Sequence, residues 1–173
     1  SGTVYGYYGA VLHIIAHALA KTTLFINGQY WLKECGSCAI HKFSSTIKRG
    51  KVSLITTFFC FVSLMGFPLL AGYNSKHLIK YAFEGNVIFI ILFSLASIIT
   101  YMYSIRFLWF GIFKGSKINL KKYNMKRLIN LKKYFIDLNE NIALFIPVII
   151  LILIGIFPNY ILGYIKDTPL DFH

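Results

Sequence analysis

Long apolar stretches alternate with polar, basic segments along the whole chain. Each apolar stretch is long enough to supply the roughly 20 residues that a membrane-spanning helix needs. The four stretches are residues 4–26, 52–82, 86–113 and 141–165. We therefore predict an all-α, polytopic membrane protein with about four transmembrane helices, in a single membrane segment over residues 1–173.

The second apolar stretch is interrupted near its middle by Gly66-Phe67-Pro68. Proline lacks a backbone donor and clashes with the preceding turn, so we expect the helix to kink or unwind here. Carbonyls freed inside a membrane need protein or water partners, which is why such breaks line cavities. Lys76 lies on the far limb of this broken helix.

The charge of the chain is concentrated in two segments. A net charge of +12 is compatible with nucleic-acid binding, but most lysines and arginines lie in residues 27–51 and 114–140. With four alternating spans these loops fall on one side of the membrane, which the positive-inside rule makes the matrix or the cytoplasm. We therefore expect no nucleic acid as a partner, and we expect contact with anionic lipid such as cardiolipin.

Titratable side chains form a column in the first apolar stretch. His13, His17 and Lys21 are four residues apart, which places them on one helix face at rises of about 6 Å. Such groups are costly inside a membrane and usually mark an ion or proton path, and a gap of this size suits a bridging water. We predict proton transfer by His13, His17, Lys21 and Lys76. The alternative is that the histidines bond across helices and the lysines reach the interface.

The remaining motifs predict neither a metal nor a catalytic centre. Cys35, Cys38 and His41 have a spacing found in zinc sites, but a second C-x-x-C pair is missing, so we expect a reduced, unligated pair. Three cysteines make no disulfide framework. The sequence contains no phosphate-binding loop, nucleophile elbow or paired carboxylates, so we predict no catalytic residue and no cofactor on this chain.

Two motifs resemble the chain 5 family of antiporter-like membrane subunits in respiratory complex I, the NADH:ubiquinone oxidoreductase. They are His13-x-x-x-His17-Ala18-x-x-Lys21-x-x-Leu24-Phe25 and Gly66-Phe67-Pro68-Leu69-Leu70-Ala71-Gly72-Tyr73-x-Ser75-Lys76. This family is related to the large subunits of Mrp-type sodium/proton antiporters. The sibling chains 4 and 2 fit less well, since chain 4 usually has glutamate in place of Lys76 and chain 2 lacks the histidine column.

The resemblance implies a subunit of a proton-translocating NADH:ubiquinone reductase that carries no redox site of its own. It implies that Lys21 and Lys76 are channel residues, with His13 and His17 beside them. The implied location is the mitochondrial inner membrane, or a bacterial plasma membrane, and the implied partners are other membrane-arm subunits, including chain 4 and an N-terminal piece of chain 5.

The chain is several times shorter than a full chain 5, and it begins at Ser1 without a methionine. We therefore expect the C-terminal part of that subunit, encoded by a split gene. Two alternatives stay open. One is a structural membrane-arm subunit whose proton path has decayed, and the other is a fragment of a stand-alone Mrp-type cation/proton antiporter.

Overall fold

The described part of the chain is helical. A computed structural model describes residues 4–35, 40, 51–113 and 138–157, and all regular structure within these ranges is helix, as the all-α prediction requires. The helices are α1 Val4–Cys35, α2 Lys51–Met65, α3 Ala71–Ala82, α4 Val87–Leu108 and α5 Leu138–Ile156, and a π-helical turn, Trp109–Phe113, continues α4.

Helix α1 is the centre of the bundle and packs against α2, α3 and α5, whereas α4 packs mainly on α2. Its buried residues recur at spacings of three and four, which keeps them on one face. They are Leu12, Ala16, Ala20, Thr23, Asn27 and Trp31. Phe61 and Leu64 from α2 and Leu151 from α5 complete the hydrophobic core against this face.

Helix α1 runs through Cys35, beyond the end expected at residue 26. The polar residues after residue 26 lie within α1, and two of them form hydrogen bonds to α2. The Asn27 side-chain amide donates to the hydroxyl of Thr56 at 3.0 Å, and the Trp31 indole N–H donates to the hydroxyl of Ser53 at 2.8 Å. A polar run that looks like a helix end is therefore part of a helix–helix interface.

Among the helices of the described ranges, two are long and apolar enough to cross a membrane, Val4–Leu32 and Val87–Gly111. Shorter apolar helices are Val52–Met65 and Ile142–Ile156. Most side chains of α4 are exposed in the described bundle. In a membrane protein, apolar surface of this extent meets lipid or a neighbouring subunit.

Residues 66–70 separate α2 from α3 and interrupt the helical backbone between them. Gly66 has φ +84° and Leu69 has φ +73°, and both values lie in the left-handed region that L-residues with side chains seldom adopt. Pro68 stands between them and has no N–H to continue the α2 ladder. These three residues together end α2, and the chain becomes helical again at Ala71.

Candidate functional site

Lys76 belongs to α3, but its amine lies at the end of α2. In a continuous helix the carbonyl of Leu64 would accept from the N–H of residue 68, and Pro68 has none. The Lys76 Nζ takes that place and donates to the carbonyl oxygens of Leu64 at 2.9 Å and Met65 at 3.1 Å. A positive amine therefore meets the negative end of the α2 dipole.

The rest of the Lys76 side chain is confined by neighbouring elements. A Cβ added at Gly66 would lie 3.0 Å from the Lys76 Cδ, so the lysine stem passes closely over this glycine. Its Nζ lies 5.6 Å from the ring centroid of Tyr101 on α4, within the range of a cation–π interaction. The amine is thus half-buried between the end of α2 and the face of α4.

The amine of Lys76 can lose a proton without breaking either carbonyl contact. An ammonium has three N–H donors, and the carbonyls of Leu64 and Met65 use two of them. The neutral amine keeps two N–H groups and gains a lone pair. In both protonation states the carbonyls of Leu64 and Met65 therefore keep a hydrogen-bond donor. A proton-exchanging group at this position needs this property.

His13 and His17 form a contacting pair on successive turns of α1, with ring centroids 4.2 Å apart. The hydroxyl of Ser75 donates its hydrogen to the carbonyl of Gly72 at 3.1 Å. His13 Nδ1 lies 2.9 Å from the same Ser75 Oγ, and the tautomer of the ring decides which of the two atoms donates. In the tautomer whose Nδ1 donates to Ser75, Nε2 is the basic nitrogen of the neutral His13 ring.

The structure brings three of the four predicted proton-transfer residues into one group. Ser75, which holds His13, is adjacent to Lys76 in α3, and Lys76 is close enough to act electrostatically on both His13 and His17. Lys21 also acts electrostatically on both rings, but its side chain is exposed. A spacing of four residues advances about 40° beyond a full turn, so the column turns away from the buried face of α1 as it climbs to Lys21.

Three residues around this group carry contacts that the sequence reasoning did not assign. Ser75 orients His13, Tyr101 faces the Lys76 amine, and Asn74 donates from its side-chain amide to the Gly155 carbonyl of α5 at 2.8 Å. The sequence did contain a signal for Ser75 and Asn74, because both belong to the polar run Asn74-Ser75-Lys76 that follows the break. Tyr101 has no local signal because its role depends on how α4 packs.

The possible zinc ligands Cys35, Cys38 and His41 have side chains outside the described residues. Within the described ranges, no group of three His, Cys, Asp or Glu side chains is placed to hold a metal ion. Most of the basic segments 27–51 and 114–140 also lies outside the description, so their predicted contact with lipid stays a prediction.

The fold and the site together define a helical membrane protein with titratable groups gathered at a broken helix. The family of NADH:quinone oxidoreductase and Mrp antiporter transmembrane proteins matches residues 1–100, and the chain belongs to this family.

Similar proteins include NADH-ubiquinone oxidoreductase chain 5 of Candida parapsilosis, which is 26% identical over 92% of this chain and 27% of the relative. Chain 5 of Rhizopus stolonifer is 29% identical over 90% of this chain and 23% of the relative. NADH-quinone oxidoreductase subunit L of Buchnera aphidicola is 29% identical over 94% of this chain and 26% of the relative. The chain thus spans about a quarter of the length of these relatives. No solved structure matches it.

Proposed function

We propose that this chain is part of the distal proton-translocating, antiporter-like subunit of respiratory complex I, where it helps couple NADH:ubiquinone electron transfer to proton pumping. Family membership supports this proposal, as do the relatives named as chain 5 and subunit L. The chain contributes about four spans, and α2 and α3 form one broken span between them. It resides in the mitochondrial inner membrane, with the basic segment that follows α1 and the basic segment before α5 on the matrix side.

The observation that carries the proposal is the position of the Lys76 amine on the carbonyls that end α2. Discontinuous membrane helices place such ends at binding sites for ions and substrates. A proton leaves Lys76 Nζ, crosses a bridging water and binds Nε2 of His13 or the ring of His17. The return of a proton to Lys76 restores the ammonium, so the chain's residues carry protons without being consumed.

The partners in this proposal are the other membrane-arm subunits, including chain 4 and the remainder of chain 5. The exposed side chain of Lys21 supports this part of the proposal. Lys21 lies within the apolar helix Val4–Leu32, and a charged group at that depth normally faces protein or a hydrated cavity and seldom faces lipid. A neighbouring segment that covers this side of α1 would complete the path from His17 to Lys21.

A substitution of His13 tests the relay directly. We expect His13→Leu to lower NADH-driven proton pumping roughly tenfold in the purified complex reconstituted into liposomes, because the basic Nε2 is lost. Electron transfer without a proton gradient, measured with an uncoupler present, should continue. The matched control is His77→Leu, since His77 is exposed on α3. Pumping at the parental rate by both variants would contradict a relay through His13.

A scaffold role is the second candidate, and one observation favours it. The Lys76 amine stabilises the end of α2 whether or not it exchanges protons, since its two carbonyl contacts close a break that Pro68 creates. The two functions differ in what they require of Lys76. A scaffold needs a permanent donor, whereas a proton path needs a donor that can also release its proton.

A further inference from the structure

A stripe of small polar side chains is buried between α1 and α2, and the proposed function does not use it. On α2 these residues recur at spacings of three and four, so they share one face over about 15 Å. They are Ser53, Thr56, Thr57, Cys60 and Ser63. The stripe ends at the residue before Leu64, whose carbonyl accepts from Lys76.

Asn27 of α1 packs against this stripe. Its hydrogen bonds to the stripe define which atom of the side-chain amide faces α2. The hydroxyl of Thr56 donates its hydrogen to the carbonyl of Val52 at 2.9 Å. With its hydrogen directed to that carbonyl, the Thr56 hydroxyl accepts from the amide nitrogen of Asn27 at 3.0 Å, and the Thr57 hydroxyl accepts from the same nitrogen at 3.2 Å. The amide oxygen of Asn27 is consequently directed away from both hydroxyls.

The Asn27 amide oxygen is fully buried and has no hydrogen-bond partner within the described residues. The hydroxyl oxygen of Ser104 on α4 is the second such side-chain atom in that part of the chain. Buried polar atoms are normally satisfied by protein or by ordered water, and an unsatisfied one is costly. Two such atoms in one small bundle therefore indicate two sites for internal water.

Both atoms lie near the same level of the bundle. Asn27 is one helical turn from Trp31, Ser104 is one turn from Phe107, and the rings of Trp31 and Phe107 are 5.7 Å apart. One turn from Ser104 in the other direction is Tyr101, whose ring faces the Lys76 amine. The two atoms thus lie between Lys76 and the C-terminal end of α1.

We propose that the Asn27 amide oxygen and the Ser104 hydroxyl bind internal waters that extend the proton path from Lys76 to the C-terminal end of α1. This inference rests on the proposed function, since it takes Lys76 as a proton-exchanging group. Each water accepts a proton from one side as it releases another to the next hydroxyl or water. Asn27 and Ser104 hold and orient these waters and do not themselves change protonation state.

The test compares substitutions at the two water sites with a substitution of a similar serine elsewhere. Ser104→Ala removes a single unpaired atom, so the complex should assemble normally. Asn27→Leu removes the unpaired oxygen together with the two hydrogen bonds to Thr56 and Thr57, so its assembly is measured alongside its pumping. We expect each to lower proton pumping per NADH oxidised roughly tenfold in liposomes. The matched control is Ser97→Ala on α4, because the Ser97 hydroxyl already donates within its own helix to the Phe93 carbonyl at 2.9 Å. Its pumping should stay at the parental value.

The outcomes separate this inference from the proposed function. Parental pumping by Asn27→Leu, together with loss of pumping when Lys76 is replaced by arginine, overturns the water path and leaves the role of Lys76 standing. Parental pumping by both overturns both proposals. If Asn27→Leu does not assemble, Ser104→Ala decides by the same readout, because it deletes a single oxygen from a buried site.

Discussion

Replacement of Lys76 by arginine should abolish proton pumping while the complex still assembles. Arginine keeps a positive charge and several N–H donors, so it can still bind the carbonyls of Leu64 and Met65. It cannot release its proton in a protein. We expect proton pumping per NADH oxidised to fall at least about 10²-fold, since a proton-exchanging side chain typically contributes about 10²- to 10⁴-fold to a transfer step.

The matched control for this prediction is Lys80→Arg. Lys80 lies one turn further along α3 and is exposed, so its replacement should leave both assembly and pumping unchanged. Assembly is read from the amount of intact complex on a native gel, and pumping from dye quenching in liposomes. A Lys76→Arg complex that pumps at the parental rate would establish the scaffold role, because only the donors of Lys76 would then be required.

Gly72→Ala should prevent the chain from entering the assembled complex. An added Cβ at Gly72 would overlap the carbonyl oxygen of Ser63 and lie 2.9 Å from its carbonyl carbon. Backbone atoms of two packed helices cannot move aside as a flexible side chain can. We expect a loss of about 3 kcal/mol or more in stability. The shift would also separate Ser75 from His13, since the Ser75 hydroxyl bonds to the Gly72 carbonyl.

Gly28→Ala is the control for this effect. A Cβ at Gly28 meets nothing within 4 Å, and alanine is the better helix former by about 1 kcal/mol. The Gly28→Ala chain should therefore assemble at least as well as the parent, with an equal or higher inactivation temperature. Equal amounts of assembled complex for the two alanine variants would contradict the close contact between Gly72 and the Ser63 carbonyl.

The sequence identified the titratable groups of the site, because charged and imidazole side chains stand out in apolar helices. Pro68 likewise indicated where carbonyls would lack helix partners. Pro68 did not indicate that the amine of Lys76 would fill their place, since that depends on the backbone path of residues 66–70 between α2 and α3. The exposure of Lys21 follows from helix geometry, but only once the buried face of α1 is known from Leu12, Ala16 and their neighbours.

The polar interface between α1 and α2 could not be found in the same way. Asn27 follows the predicted end of the first helix, where a polar residue is expected. Thr56 and Thr57 are ordinary residues in an apolar helix, because their hydroxyls can bond to the preceding turn. Their meeting with Asn27 depends on the register of two helices, which is a property of tertiary packing. The unpaired oxygen of Asn27 is visible only after that register is set.

The most direct measurement is a density map of the assembled complex at a resolution that shows ordered water. The account predicts that waters link the ring of His17 and the Nε2 of His13 to the amine of Lys76, with further water on the Asn27 amide oxygen. A dry interior around His13, His17 and Lys76, with side chains packed in van der Waals contact, would contradict it, because protons would then have no route between these groups.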